Sequence, residues 1–473
     1  MEVSLVNINN LGVGLRLDSE YYKPEFLAVE TLLKNKQCMK LDDISKSIKS
    51  FGAYSLCNQI ILVEKGIPFI RCKDIKEGFI DFSNVQYIDE GTNKLLVKSA
   101  VKPKMVMLTM SGTVGNSAIA ADNWQYPINS NQDIAKIEVN SLASPYYLTI
   151  FFSSRYGKAQ TERLPVGSIQ QHIFLWQLKE MLVFIPSKGV QDIIEKTYLN
   201  AMKLLNESYE LYNQAEQILL LEIGLANWKP KHQLFFVKKF SDTKASDRID
   251  ADYFQPVYDE VIKKVKQNKN GYKTLDDSVF IKKCIEPGSD AYQEKGIPFL
   301  RVSNLSKFGV NNDNQQYLSE ELYEKLKNYQ PKKGEILLSK DATPGIAYHL
   351  NDEPHQMIPS GGILRLKIKD VNHISSEFLT LVLNSIVVQK QIERDIGGSI
   401  INHWLVNQVK ETIIPVLPDL VQEEITGKIA ESFIRREQSK KLLDIAKRGV
   451  EMAIEKSEDE ALKWINQEVK AHT

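Results

Sequence analysis

Apolar positions recur along this chain with two periods, and the longer one organises it. From 190 to 224 they return every seven residues, with no proline and no internal glycine. Tyr198, Leu205, Tyr212 and Leu219 make a large seam, and Ile194, Ala201, Ser208 and Ala215 make a small one on the same face. The pattern returns from 421 to about 456. There Ile429, Arg436, Leu443 and Val450 are the large seam, and Ile425, Ser432, Ser439, Ala446 and Ala453 the small one. Each seam position of the first run maps onto the second with one shift of 231 residues, as Tyr198 does onto Ile429. Heptad stripes this long predict two helices that pair as a coiled coil, small residues letting the backbones approach. The alternative is two unrelated amphipathic helices, each packed on its own domain.

Between these runs the period shortens to that of strands and turns. The stretches 67–71, 105–109, 135–139 and 181–185 are short apolar runs bounded by Gly, Pro, Asn or Ser, the pattern of strands. Pro68 lacks a backbone donor, so the first of them is expected to begin at or just after it. The stretches 25–34, 257–266, 146–152 and 378–384 read as helices, the last two with N-terminal signals at Ser144-Pro145 and Ser375-Ser376.

The short motifs also come in pairs. Arg16-Leu17-Asp18-Ser19-Glu20-Tyr21-Tyr22-Lys23-Pro24 is echoed by Arg248-Ile249-Asp250-Ala251-Asp252-Tyr253-Phe254-Gln255-Pro256. Gly66-Ile67-Pro68-Phe69-Ile70-Arg71 returns as Gly296-Ile297-Pro298-Phe299-Leu300-Arg301, and Thr113-x-Gly115 as Thr343-x-Gly345. Gly167-Ser168-Ile169 returns as Gly398-Ser399-Ile400, with His172 and His403 following, and Pro186 and Pro418 each precede a long run. The chain is a tandem duplication of one α+β unit followed by a long helix. The expected division is 1–188, a mixed domain; 189–226, the central helix; 227–419, a second mixed domain; and 420–473, the distal helix with a C-terminal tail. Gly224 is the expected end of the first helix, and 226–231 a linker.

Composition narrows the function classes. Lys+Arg and Asp+Glu are both 60 in 473 residues, so any basic surface is local. Cys38, Cys57, Cys72 and Cys284 show no metal-ligand spacing and read as reduced thiols of a cytosolic chain. No stretch reaches bilayer-spanning length, so the expectation is a soluble, cytoplasmic protein with no membrane partner.

In their order and duplication these motifs resemble the specificity (S) subunits of type I restriction–modification systems over nearly the whole chain. The residues that carry the resemblance are the Arg16–Pro24 opening, the segment ending at Arg71, Ser111-Gly112-Thr113-Val114-Gly115, Asn131-Gln132-Asp133-Ile134, the Gly-Ser-Ile element and the Pro186…Val190-Gln191 and Pro418…Val421-Gln422 starts of the long helices. The resemblance implies two target-recognition domains, each reading half of a split DNA site. It implies that the two long helices form an antiparallel coiled coil that sets half-site spacing and docks two modification subunits. The second unit departs from the pattern at Ser339-Lys340-Asp341-Ala342-Thr343-Pro344-Gly345 and at Ser360-Gly361-Gly362-Ile363.

Chemistry of the chain's own is not legible. Neither an Asn/Asp-Pro-Pro-aromatic loop nor a phosphate-cradling Gly-rich loop occurs, and Gly12-Val13-Gly14 reads as a turn. His172 and His403 read as packed structural residues. The candidate DNA contacts are polar residues in loops: Arg71, Lys73, Lys102, Lys104, Ser111, Thr113, Asn116, Asn131 and Gln132, then Arg301, Ser303, Asn304, Lys332, Ser339, Lys340 and Thr343. The candidate coil and partner positions are Ile194, Tyr198, Leu205, Tyr212, Leu219, Ile425, Ile429, Leu443 and Val450.

The leading expectation is a non-catalytic subunit that reads an asymmetric bipartite site in double-stranded DNA and directs an adenine-N6 methyltransferase to it. Two modification subunits, and restriction motor subunits through them, are the expected partners. No cofactor or metal is expected in this chain, the methyl donor and ATP belonging to those partners. The competing expectation is a scaffold that uses its paired helices to assemble proteins. A helix of about 35 residues spans roughly 50 Å, a length suited to half-sites one DNA turn apart.

Overall fold

The computed structural model describes residues 4–6, 11, 16–51, 54–166, 171–312, 314–371, 373–396 and 402–472. The Gly12-Val13-Gly14 turn and both Gly-Ser-Ile elements lie outside the described residues. The chain divides into two compact units, Met1–Asn206 with Arg436–Thr473, and Glu207–Arg435. Each unit therefore takes part of both long helices, a division that cuts across the four segments expected from sequence.

In the first unit α1 (Pro24–Lys34) precedes β1 (Ser45–Lys49), β2 (Ile67–Ile70), β3 (Gln86–Ile88), β4 (Val106–Thr109), β5 (Ser117–Ile119) and β6 (Ile134–Val139). Then come α2 (Pro145–Ser153), α3 (Arg155–Arg163) and α4 (Lys188–Glu222). Strands β1, β6, β4 and β5 form one antiparallel sheet in that order. A second sheet runs Leu62–Val63, β3, β2, Asn129–Ser130. Strand β2 begins at Ile67, one residue before the proline, contrary to the sequence expectation. Pairing of β2 with Asn129–Ser130 starts only at Phe69, so no ladder on that side asks Pro68 for a donor.

The large sheet is covered on one face by α2. Val106, Leu108, Ala135 and Ile137 meet Tyr147, Leu148, Phe151 and Phe152, all fully buried. Each large side chain withdrawn from water contributes about 1.5–3 kcal/mol, so this layer fixes the sheet and the loops leaving it. Ser144, expected to cap α2, makes no cap bond and donates instead to the Glu195 carboxylate of α4 at 2.9 Å.

The second unit repeats the order. It comprises α5 (Pro256–Lys266), β7 (Val279–Lys283), β8 (Ile297–Leu300), β9 (Gln316–Leu318), β10 (Ile336–Ser339), β11 (Ala347–His349), β12 (Ile363–Ile368), α6 (Ser376–Asn384), α7 (Ile386–Asp395) and the start of α8 (Asp419–Glu455), which passes into the first unit at Arg436. The sheet order is β7, β12, β10, β11, strand for strand that of the first unit. Here Ser375 does cap its helix, accepting from the Phe378 N–H at 3.1 Å.

Several paired motifs turn out to be fasteners. Arg16 grips Asp18 at 2.6 Å and donates to the Leu164 carbonyl at the end of α3. Arg248 grips Asp250 and donates to the Asp395 carbonyl at the end of α7 in the same way. Each guanidinium thus meets orphan carbonyls at a helix C-terminus. Gln191 accepts from the Ser144 N–H at 2.7 Å and donates to the Pro186 carbonyl, while Gln422 donates to the carbonyls of Leu417 and His373. Those bonds tie the first turn of each long helix to its own unit.

Every residue of the two small seams is buried, as are Tyr198, Leu205, Tyr212, Leu219, Ile429, Leu443 and Val450 of the large ones. Arg436 is half-buried. Within the second unit, Gln214 accepts from Lys428 at 2.9 Å and Glu207 lies 3.6 Å from Arg435. Numbers rise along α4 as they fall along α8, so these segments run antiparallel. After Gly224 the chain closes α4 with a bond from the Leu225 N–H to the Leu220 carbonyl. The expected tail is a further helix, α9 (Glu458–His472), whose Ile465 packs on Gly449 in the first unit.

Candidate functional site

In each unit one loop links two antiparallel strands of a hairpin, β4 to β5 in the first and β10 to β11 in the second. In the first, the Thr109 hydroxyl donates to the Thr113 carbonyl and accepts from the Asn116 N–H at 3.0 Å. In the second, the Ser339 hydroxyl donates to the Thr343 carbonyl at 2.6 Å and accepts from the Ile346 N–H at 2.8 Å. The N–H of Gly115 meets the Thr109 carbonyl, and that of Gly345 the Ser339 carbonyl, at 3.0 and 2.9 Å. Both glycines hold positive φ, +86° and +92°, and a Cβ would lie 2.3 Å from Thr161 Oγ1 or 2.4 Å from Ile392 Cδ1. The second unit's departure in sequence therefore leaves the loop's frame unchanged. What differs is the tip, where Lys340 and Asp341 stand in place of Met110 and Ser111.

Two further loops converge on this one in the first unit. The Asn131 N–H reaches the Ile70 carbonyl, the Met110 N–H reaches the Asp133 carbonyl, and Asn116 donates to the Ile75 carbonyl at 3.2 Å. Arg71, Lys73, Ser111, Thr113, Asn116, Asn131 and Gln132 thus gather at one end of the strands. In the second unit the Lys340 N–H bonds to the Gly362 carbonyl, and the Ser360 N–H to the Leu300 carbonyl. This brings Arg301, Ser303, Lys340 and Thr343 together likewise.

The structure separates other candidates from this cluster. Lys102, Lys104 and Lys332 are exposed, but they precede β4 and β10, whereas the loops follow those strands. At about 3.3 Å per residue, Lys104 stands roughly 20 Å from Ser111. Asn304 and Ser339 are fully buried and their side chains brace their own loops, accepting from the Arg301 and Ile346 N–H groups. Ser111 is buried too, whereas Lys73, Ser303 and Thr343 are exposed. Arg71 is held by Asp74 through two 3.0 Å contacts and donates to the Asn84 carbonyl, which leaves its fork largely spent.

Sequence reading missed the charged groups beneath and beside the loops. Lys136 of β6 is 1% exposed, donating to Ser130 Oγ at 2.9 Å and the Ile134 carbonyl at 3.1 Å. Burial pushes its ammonium down to about 7. Arg365 holds the corresponding place, opposite Leu337 as Lys136 is opposite Met107, and there a buried Glu335 pairs with it at 2.8 Å. The apolar pattern of β6 gives no sign of an inward lysine.

The two histidines, which read as packed structural residues in the sequence, both lie against the hairpin loops. Each forms an isolated bridge with a hairpin loop, His172 with Ser111 and His403 with Asp341. His172 lies 3.6 Å from Asp133 and against the Phe174 ring, centroid to centroid 5.1 Å. His403 Nδ1 lies 2.8 Å from Asp341 Oδ1, and Lys340 contacts the same carboxylate at 2.5 Å. Its side chain remains 58% exposed, against 21% for His172.

The remaining chemistry is limited. Burial pushes the thiols of Cys38 and Cys72 up to about 11 and that of Cys284 to about 12, which keeps them protonated and weakly nucleophilic. Among the described residues no group of His, Cys, Asp and Glu could hold a metal ion, and no helix is long and apolar enough to cross a membrane.

Residues 268–444 match the family described as the type I restriction modification DNA specificity domain. No curated protein matches the chain. Among solved structures it is similar to the type I restriction–modification S subunit from M. genitalium, with 14% identity over 90% of this chain and 95% of that one, at a TM-score of 0.35. It is similar also to the HsdS subunit from Thermoanaerobacter tengcongensis, with 12% identity over 92% and 95% and a TM-score of 0.26. A chain from a study of complex assembly and conformational transition of the type I R-M system shares 13% identity over 92% and 98%, with a TM-score of 0.28.

Proposed function

We propose that the whole chain is a DNA specificity subunit, a reading supported by the match of residues 268–444 to the type I restriction modification DNA specificity domain. Two target-recognition domains, one in each unit, read the two halves of an asymmetric bipartite site. The observation that carries this reading is the duplicated loop cluster: one backbone frame, used twice, with different side chains at its tip. A frame held rigid by buried hydroxyls and glycines can present varied polar groups to base edges, while neighbouring lysines and backbone N–H groups take phosphates.

The chain performs no chemistry on DNA in this proposal. Methylation of adenine N6 requires the base to leave the stack, and the flipping pocket, methyl donor and ATP-driven motor belong to partner subunits. The two long helices pair as an antiparallel coiled coil and dock two modification subunits, and the small seams set their close approach. Cytoplasmic residence follows from that role.

The test is to replace 100–140, which holds the first unit's hairpin loop, with the equivalent stretch of another specificity subunit. The modified adenines of cells carrying the chimera and its methyltransferase are then mapped. One half of the recognised sequence is expected to change and the other to stay. A change in both halves or in neither contradicts two independent reading domains.

A further inference from the structure

The two copies of the loop-to-histidine bridge have diverged in a way that points to a ligand for one of them. In the first unit Phe174 lies edge-on to His172 and covers it. In the second, Leu405 takes the place of that phenylalanine and is itself exposed, and His403 borders an open cavity of about 550 Å³. Lys283, Cys284, Lys340, Asp341 and Gly361 line the cavity with it. Lys283 is exposed at the end of β7, and Lys340, one-fifth exposed, pairs with Asp341 at the cavity's edge. A carboxylate can only accept, so the Asp341 contact requires a proton on His403 Nδ1. In the neutral ring Nε2 then carries the lone pair, on a side chain that is 58% exposed.

We propose that His403 is a specificity-determining residue of the second half-site, its Nε2 accepting from the exocyclic amino group of one base. In the major groove that donor is N6 of adenine or N4 of cytosine. Asp341 is the positioning residue that fixes the tautomer, while Lys283 and Lys340 face the flanking phosphates. The proposal rests on the DNA-reading function argued above. It separates the histidine pair into one reader, His403, and one packed residue, His172.

The experiment uses the chain assembled with its methyltransferase partner and a pool of random-sequence duplexes, sequenced after retention. For the wild type, enrichment of no sequence would sink the underlying DNA-reading function itself. Given an enriched split sequence, His403→Ala should lose roughly 10- to 100-fold of discrimination at one base pair of one half, with all other positions kept. Asp341→Asn, which frees the ring from one tautomer, should relax the same base pair. Leu405→Phe, a change at an exposed position that narrows the cavity, should weaken retention of the split sequence. His172→Ala should leave every preference as it was. Thermal unfolding of each variant checks that it is folded. An unchanged sequence preference in folded His403→Ala would overturn the proposal. So would a uniform loss across all sequences, since that marks a phosphate contact and not a base contact.

Discussion

The hydroxyls of Ser208 and Ser432 lie 3.0 Å apart, and Ser432 also donates to the Ser208 backbone carbonyl at 2.7 Å. Both residues belong to the small seams and both are fully buried, so two helices meet here with no side chain larger than a hydroxymethyl between them. Such closeness lets one helix donate directly to the backbone of the other. It also leaves no room for growth at that point.

Ser432→Leu is therefore expected to be costly, losing about 1–3 kcal/mol to overpacking, while Ser432→Ala loses only about 1 kcal/mol of hydrogen bonding. Urea unfolding of both variants checks the ordering. Equal effects would mean that the helices can part at this level without penalty.

The buried Arg365–Glu335 pair makes a second prediction. Glu335→Met leaves a guanidinium uncompensated in the core and should cost about 3–5 kcal/mol. Adding Arg365→Leu to it should recover much of that loss, because an apolar pair desolvates no charge. The first unit already carries Met105 before its equivalent strand. Denaturation of the single and double variants decides the matter.

Lys136 supplies a pH dependence whose sign is fixed by its environment. Burial holds its ammonium near 7, against an ordinary value near 10.5 in the unfolded chain. Below about 7 both states carry the proton, and the full cost of a buried charge is present. Between about 7 and 10.5 the folded state has released the proton and the unfolded state has not, so stability rises with pH through that window. Lys136→Met should stabilise the protein at pH 7 and flatten this rise. A wild-type stability that falls over the same interval, with no difference from the variant, would contradict a buried unpaired lysine.

Much of this was legible because heptads and duplication are long-range patterns that many residues share. The seam from Ile194 to Leu219 is buried at every expected position, and both halves have the same sheet order. The short elements were harder to read. Helix α9 begins inside the charged stretch Glu455–Glu460, which interrupts the heptad seam of α8, although Ala461, Trp464, Ile465 and Val469 beyond it pack on the first unit's core. The site was legible only as a set of loops. Loop composition marks a residue as polar, but not which end of a strand it occupies, so in sequence Lys102 and Lys104 look equivalent to Ser111. It also cannot show that Ser339 faces inward, or that a histidine 62 residues from Asp341 sits beside it.

The central claim is sequence-specific recognition of duplex DNA, and one binding measurement tests it most directly. The chain with its methyltransferase partner is titrated with fluorescent duplexes at rising salt, using the split sequence mapped from modified adenines and a scrambled duplex of equal length. The expected result is tight binding to the split sequence alone, with the logarithm of affinity falling linearly in the logarithm of salt. Equal affinity for the scrambled duplex, or affinity indifferent to salt, would contradict it.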